Sequence, residues 1–140
     1  MLYYKDESYA IFGAIFEVYK TLGNTFIESF YQKALEHEFK LRNIPFVPQK
    51  YIPAVYKGQE IGHYTPDFVC FDCIIVELKS RENTTEEEQK QVMNYLNLGK
   101  YDLGILVNFG TYPKVYVQRI VRKGAAPTSV EEEEPPYYFE

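Results

Sequence analysis

A length of 140 residues with 46% hydrophobic and 17% aromatic content predicts one globular domain with a core of its own. All 15 basic residues and 15 of the 20 acidic residues lie in residues 1–124, so the net charge of −5 comes from the acidic tail alone. A body without net charge excludes overall electrostatic attraction to nucleic acid, and no apolar run approaches the roughly 18 residues of a membrane span.

Two helices are predicted before the first strand. Residues 6–22 carry apolar side chains at helical spacing, and Gly23 suits a left-handed turn at the end of this helix. A second helix is predicted over residues 26–42, where Glu28 lies three residues before Tyr31 and therefore on the same face. Because that face is otherwise apolar, Glu28 is expected to point toward the core or a cleft, where a carboxylate needs a partner.

Five strands and a third helix are predicted in the rest of the body. The strands are residues 51–56 (an edge strand bounded by prolines), 61–71, 73–79, 103–109 and 114–120, and the helix is residues 85–99. Thr85 and Glu88 open this helix at capping-box spacing. The wholly apolar run 103–109 is typical of a strand buried on both faces. The order α-α-β-β-β-α-β-β predicts an α/β or α+β sandwich.

The tail, residues 125–140, differs in composition from the rest of the chain. It contains a run of four glutamates and a pair of prolines without any hydrophobic period, which predicts a disordered segment outside the domain of residues 1–124. Its "PPYY" also matches the PPxY pattern of peptides that bind aromatic grooves, so the tail is a candidate docking segment.

Three ionisable side chains converge on the hairpin predicted in the middle of the chain. With Asp72 at the centre of the turn, Asp67 lies opposite Glu77, with Cβ atoms about 5 Å apart, and Lys79 shares their face. Two carboxylates this close must bind a proton or a cation, and Mg²⁺ typically uses one or two carboxylates with waters and phosphates. The pattern predicts a site for phosphodiester hydrolysis; the alternative is a surface hairpin with solvated ion pairs.

Further polar and aromatic residues are candidates for binding a substrate. Gln91 lies on the helix that follows Lys79, with Tyr95 four residues on, and could meet a phosphate or the site water. Basic groups among aromatic rings suit single-stranded or flipped nucleic acid, although they also occur on ordinary mixed surfaces. The residues that could rim such a groove are Lys50, Tyr51, Tyr56, Lys57, Tyr64 and Arg81. The residues assigned as nucleic-acid contacts are Tyr31, Tyr64 and Arg81.

"PD" at residues 66–67, followed by Glu-x-Lys at residues 77–79, resembles the PD-(D/E)xK nuclease signature. Residues 6–122 as a whole resemble the small bacterial and archaeal GxxExxY group of that superfamily, with supporting stretches such as "YTPDFVCFDCIIVELKS" and "QVMNYLNLGKYDLGILVNFG". The glycine that gives this group its name is replaced by Thr25, which is a candidate N-cap for the second helix. Glu28 and Tyr31 are kept.

The resemblance implies an α/β fold with a restriction-endonuclease-like core, a mixed sheet of about five strands flanked by helices. It implies a nuclease that depends on Mg²⁺ or Mn²⁺ and acts on DNA or RNA. By position, the implied metal ligands are Glu28, Asp67, Glu77 and the backbone carbonyl of Leu78. Lys79 would orient or activate the attacking water, and Gln91 matches a polar residue on the helix after the hairpin.

Two other functions stay open. The same fold without catalysis would serve as a binding or scaffold subunit, as a homodimer or with a protein partner, using the tail for docking. Cys70 and Cys73 form a C-x-x-C pair that would support a redox module if both thiols were exposed, whereas zinc would need further ligands. Two cysteines and an N-terminus without a signal-peptide layout favour a cytosolic or nucleoplasmic protein, and we expect a cytoplasmic location.

Overall fold

A computed structural model describes residues 4–122 and, within the tail, the backbone of Tyr137–Phe139. The helices are α1 (Lys5–Leu22), α2 (Glu28–Leu41) and α3 (Glu86–Gly99). The strands are β1 (Phe46–Pro48), β2 (Ile52–Tyr56), β3 (Gln59–Tyr64), β4 (Phe68–Cys70), β5 (Ile74–Lys79), β6 (Leu103–Asn108), β7 (Val115–Val121) and β8 (Tyr137–Phe139). No helix of the described ranges has both the length and the apolar character needed to cross a membrane.

The main sheet is mixed and has the strand order β1-β4-β5-β6-β7-β8. Strands β5 and β6 run parallel because α3 carries the chain back across the sheet between them, and the other neighbours are antiparallel. Strands β2 and β3 form a separate two-stranded sheet. The predicted α/β class with a mixed sheet of about five strands is confirmed, and β8 adds a short sixth strand.

Helices cover both faces of the main sheet. Helices α1 and α2 cover one face, where side chains such as Ile15, Leu35 and Val76 form the larger core cluster. Helix α3 and the β2–β3 hairpin cover the other face, where Leu96 and Leu106 are fully buried. Every residue of β6 is buried, as its apolar sequence predicts for a strand packed on both sides.

The loop between α1 and α2 begins where it is predicted to begin, but α2 starts later than predicted. Gly23 ends α1 with φ 77°, as predicted, and its N–H donates to the Tyr19 carbonyl at 2.8 Å. Helix α2 begins at Glu28, and Ile27 occupies the N-cap position, so the predicted start at residue 26 and the Thr25 cap are wrong. The reason is tertiary: the Tyr31 hydroxyl satisfies backbone groups of this loop, a role that local capping rules do not anticipate.

The strands before β5 also differ from the prediction. The single strand predicted over residues 61–71 is divided into β3 and β4, which belong to different sheets, and β3 begins inside the predicted turn "KGQE". Pro66 lies at the break, where it cannot donate a ladder hydrogen bond. Strand β1 was not predicted because its prolines read as terminators of the preceding helix. It lies at the edge of the sheet, where Pro48 is tolerated.

The tail prediction is tested at three residues only. Tyr137–Phe139 pair antiparallel with β7, so this part of the segment predicted to be disordered is a strand. Residues 123–136 and 140 lie outside the described residues, and no side chain of the "PPYY" motif at residues 135–138 is described. The docking role of the tail therefore stays a prediction.

Candidate active site

The β4–β5 hairpin places Asp67 beside Glu77. Phe68 pairs with Val76 and Cys70 with Ile74, the register predicted with Asp72 at the centre of the turn. Asp67 immediately precedes β4 and therefore lies opposite Glu77, just beyond the last ladder pair. The backbone N–H of Asp67 donates to Glu77 Oε1 at 3.3 Å, so the Glu77 carboxylate is in direct contact with the Asp67 backbone.

The backbone of Leu78 faces the same point. Its N–H donates to Asp67 Oδ2 at 2.7 Å, taking the place of a ladder bond to β4. The N–H and C=O of one residue in an extended strand point to the same edge, so the Leu78 carbonyl also faces the Asp67 side. The next carbonyl, that of Lys79, points to the other edge, where it accepts from the Phe109 N–H at 2.9 Å.

Both carboxyl groups of this pair have raised pKa values. Burial, followed by the nearby Asp67 carboxylate, raises the pKa of Glu77 to about 8, while the Lys79 ammonium opposes the change. Burial also raises the pKa of Asp67, against the lowering effects of the Leu78 N–H and of Lys79. The pair therefore favours a bound proton or a bound cation over two bare charges.

Glu28 faces this site from the first turn of α2 and is exposed, so of the two predicted directions, the core or a cleft, the core is excluded. Partial burial raises the pKa of its carboxyl, the charge of Asp67 raises it further, and Lys79 and Arg81 lower it. Within residues 4–122, no three His, Cys, Asp or Glu side chains are close enough to hold a metal ion. Glu28 is therefore a neighbour of the Asp67–Glu77 pair, and the three acids do not form a preformed cluster.

Gln91 reaches the site through Tyr95. Gln91 is exposed on α3, one helical turn before Tyr95, and its amide lowers the pKa of the Tyr95 hydroxyl. Burial raises the pKa of Tyr95, and so does the charge of Glu77. Gln91 and Tyr95 thus lie along the edge of the site nearest Glu77.

Two of the three residues assigned as nucleic-acid contacts are buried, and their contact with nucleic acid stays a prediction. Tyr31 is fully buried and stacks on Phe109 with ring centres 4.4 Å apart. Its hydroxyl donates to the Gly23 carbonyl at 2.5 Å and so supports the loop that leads into α2. Tyr64 is also buried, stacks on Tyr95 at 4.2 Å and donates to the Tyr95 carbonyl at 2.5 Å. Both rings therefore pack inside the protein.

Arg81 is the predicted contact that remains available. Its side chain is 60% exposed, and Nη1 lies 3.2 Å from Glu88 Oε1. Thr85 occupies the N-cap position of α3, but no side-chain capping bond forms there, so the predicted capping box with Glu88 is absent. The carboxylate of Glu88 is directed to Arg81 instead.

Two residues that support the site were not assigned to it from the sequence. Gln49 follows β1 and donates from Nε2 to Asp67 Oδ1 at 3.4 Å; the missed strand β1 hid this contact. Asn108 accepts from the backbone N–H groups of Arg81 and Gly110 at 3.0 and 2.9 Å. Asn108 therefore binds backbone groups of two separate segments, including the segment that follows Lys79.

The hairpin β2–β3 carries the other proposed rim residues. Tyr51 and Tyr56 are more than half exposed, and Lys50 and Lys57 are exposed beside them. Tyr51 stacks on His63 with ring centres 4.6 Å apart. These four residues lie on the surface of the hairpin. Tyr64, at the end of β3, is the residue of the hairpin on which the charge of Glu77 acts.

The C-x-x-C pair lies at the hairpin turn and consists of free thiols. Cys70 is fully buried, and burial raises its pKa far above the ordinary value. Burial also raises the pKa of Cys73. A redox module needs two exposed, readily ionised thiols, so the structure does not support that alternative.

Comparison with known proteins agrees with this geometry. A family model described as the PD-(D/E)XK nuclease superfamily matches residues 5–120, which include both core clusters and all of the candidate site. The comparison with curated proteins and the comparison with solved structures each found no match. The mixed sheet with flanking helices is consistent with a restriction-endonuclease-like fold. With most of its length matched, this chain belongs to the PD-(D/E)XK nuclease superfamily.

Proposed function

We propose that this protein is a divalent-metal-dependent nuclease that hydrolyses phosphodiester bonds of DNA or RNA. The observation that carries the proposal is the direct contact of Asp67 with Glu77 beside Lys79, at the end of a strand that is otherwise apolar. Membership of the superfamily supports nuclease-type chemistry. Metal dependence and catalysis are the parts that experiment must establish.

The donor set fits a hard divalent ion. Asp67 and Glu77 supply carboxylate oxygens, the Leu78 carbonyl faces the same edge, and Glu28 lies close enough to influence the same charge balance. Mg²⁺ and Mn²⁺ accept such oxygen ligands, and Mg²⁺ commonly uses only one or two carboxylates. A pair of acids without a third preformed ligand is therefore sufficient, since waters and substrate phosphate complete the coordination.

The residues would divide the chemistry between them. A bound divalent ion supplies charge stabilisation on the phosphate and lowers the pKa of water. The Lys79 ammonium, which influences both Asp67 and Glu77, would donate to the attacking water or to a phosphate oxygen and so align the attack. The water oxygen would then bond to phosphorus and release a proton to solvent, while the bond from phosphorus to the leaving sugar oxygen breaks and that oxygen takes up a proton. Gln91, through its contact with Tyr95, would bind a neighbouring phosphate or the water.

The first test is whether the pair binds metal. Mg²⁺ and Mn²⁺ would be titrated into the protein by calorimetry, with Glu77→Ala alongside and the exposed Glu82→Ala as the matched acidic control. We expect heat of binding that Glu77→Ala removes and Glu82→Ala retains. Binding that survives in Glu77→Ala would place the ion elsewhere.

The second test is cleavage. Single- and double-stranded DNA and RNA would be incubated with Mg²⁺ or Mn²⁺ and the wild-type protein, Asp67→Ala or Lys79→Ala. We expect cleavage only by the wild type, with the fold of each variant checked by circular dichroism. Cleavage by Asp67→Ala at the wild-type rate would sink the assignment.

A catalytically silent binding or scaffold subunit is the second candidate. It is favoured by one observation: within residues 4–122 the acids do not form a group of three that holds a metal. On this alternative, a stable complex with nucleic acid, a second copy or a protein partner would persist in Asp67→Ala, and no substrate would be cut.

We further propose the GxxExxY group as the subfamily and the cytoplasm as the location. Two observations support the first proposal. The charge of Asp67 acts on the Glu28 carboxyl, and the Tyr31 hydroxyl donates to the loop that precedes Glu28. Supporting the second, both cysteines are free thiols.

A further inference from the structure

We propose that Arg81 is a preorganised phosphate-binding group at the edge of the site and that Glu88 is the positioning residue that holds it there. The inference deepens the proposed function and rests on it, because it names a specific contact to the nucleic-acid backbone. Glu88 has no part in the metal-binding set described above.

Glu88 is an unusual residue for the first turn of an exposed helix. The whole residue is 5% exposed, whereas the acids beside it, Glu86 and Glu87, are exposed. Its Oε1 lies 3.2 Å from Arg81 Nη1, and its other oxygen, Oε2, is buried without a hydrogen-bond partner in the described structure. A buried carboxylate with an unsatisfied oxygen is costly. Its position is explained if the charge serves to fix the guanidinium.

The backbone of Arg81 is fixed as well. Its N–H donates to Asn108 Oδ1 at 3.0 Å, and the Asn108 side-chain amide donates to Thr84 Oγ1 at 3.0 Å. Gly110 packs so closely on the Arg81 peptide that a Cβ there would overlap its N and O atoms. The backbone of Arg81 is therefore held by residues at the end of β6, and its guanidinium is held by Glu88 of α3.

The guanidinium still has donors to offer. Arginine carries five N–H groups in a planar fork, and the ion pair with Glu88 uses one side of it. The side chain remains 60% exposed, and Arg81 lies two residues after Lys79, at the edge of the site. A positively charged, exposed fork with free N–H groups suits an anion, and phosphate oxygens accept such forks bidentately.

The test is a double-mutant cycle in Arg81 and Glu88 read by nucleic-acid binding. The affinity of a short fluorescein-labelled single-stranded DNA would be measured by anisotropy without metal, over a range of salt concentrations. The variants are Arg81→Gln, Arg81→Lys, Glu88→Gln and the double variant. Arg42→Gln, which removes a comparable pair with Glu38 at the far end of α2, is the matched control.

We expect Arg81→Gln to weaken binding about tenfold and to reduce the slope of log K against log salt by about 0.7, the loss of one phosphate contact on a single strand. Arg81→Lys should keep the salt slope but lose part of the affinity, because an ammonium lacks the fork. Glu88→Gln should weaken binding less than Arg81→Gln and add nothing in the Arg81→Gln background. Arg42→Gln should bind as the wild type does.

The outcomes separate this inference from the proposed function. If the wild type cleaves nucleic acid and Arg81→Gln matches it in affinity, salt slope and kcat/KM, the inference is wrong and the function stands. If Glu88→Gln changes the urea midpoint but not the affinity for the DNA, Glu88 is structural and its positioning role is wrong. If the wild type binds without cleaving, the function fails and the binding cycle still decides the inference. If it neither binds nor cleaves, both are overturned.

Discussion

Glu77→Gln should remove an unusual dependence of stability on pH. In the metal-free fold, burial and the neighbouring Asp67 raise the pKa of Glu77 from 4.5 to about 8. Between these two values the folded chain holds a proton on Glu77 that the unfolded chain has released. The free energy of unfolding therefore falls as pH rises through this window, which is opposite to the usual behaviour of an acid in an ion pair.

The size of the effect follows from the difference between the two pKa values. One pKa unit corresponds to about 1.4 kcal/mol, so the loss of stability between pH 4.5 and pH 8 is at most on the order of 5 kcal/mol. Glutamine keeps the oxygen that accepts from the Asp67 N–H but has no proton to release. We therefore expect Glu77→Gln to be more stable than the wild type at pH 8 and to show a flatter pH profile.

Urea unfolding with a chelator present, at several pH values across this window, measures both profiles. Glu82→Gln, a substitution of an exposed acid in the loop before α3, serves as the control and should follow the wild type. Addition of Mg²⁺ at pH 8 should stabilise the wild type more than Glu77→Gln, because the ion replaces the proton. Parallel profiles for the wild type and Glu77→Gln would refute the reasoning, since the buried carboxyl would then titrate normally.

Three further predictions concern the supports of the site. Tyr31→Phe should cost about 1–2 kcal/mol in urea unfolding, because the Gly23 carbonyl and the Phe26 N–H lose their partner; an unchanged midpoint would contradict that role. Gly110→Ala should cost about 1–3 kcal/mol, since its methyl group would displace the Arg81 backbone, and wild-type stability would show that the loop yields freely. Cys70 should resist iodoacetamide in the native protein and react in urea, as peptide mass analysis would show; rapid native labelling would reopen the redox alternative.

The pairing of Asp67 with Glu77 could be read from the sequence because a hairpin obeys local counting. Once the turn is centred on Asp72, every opposed pair follows, and the observed ladder has that register. The helices were predictable for a related reason, since each has a long apolar period that tertiary contacts do not override.

The surroundings of that pair could not be predicted because they depend on single side-chain contacts that no hydrophobic period records. The Tyr31 hydroxyl donates to the loop at residues 23–26. Glu88 does not cap α3 and forms an ion pair with Arg81 instead. Glu28 is exposed because α2 starts there, at the end of the stripe that covers the sheet. The short strand β1 is specified by its edge position and not by any period of its own.

The hairpin turn acts as the spacer that aligns the two acids. Side chains of β4 and of the first half of β5 are buried on both faces, so no alternation of polar and apolar residues opposes a slip of one strand against the other. A slip of one residue would put Val76 or Leu78 opposite Asp67 and turn Glu77 to the other face, yet the strands would remain apolar. Phe71 and Asp72 adopt φ values of 54° and 59°, a geometry rare for a bulky aromatic residue. The alignment of Asp67 with Glu77, on which the proposed function rests, is therefore set by the length and the positive φ angles of a turn that contains neither acid.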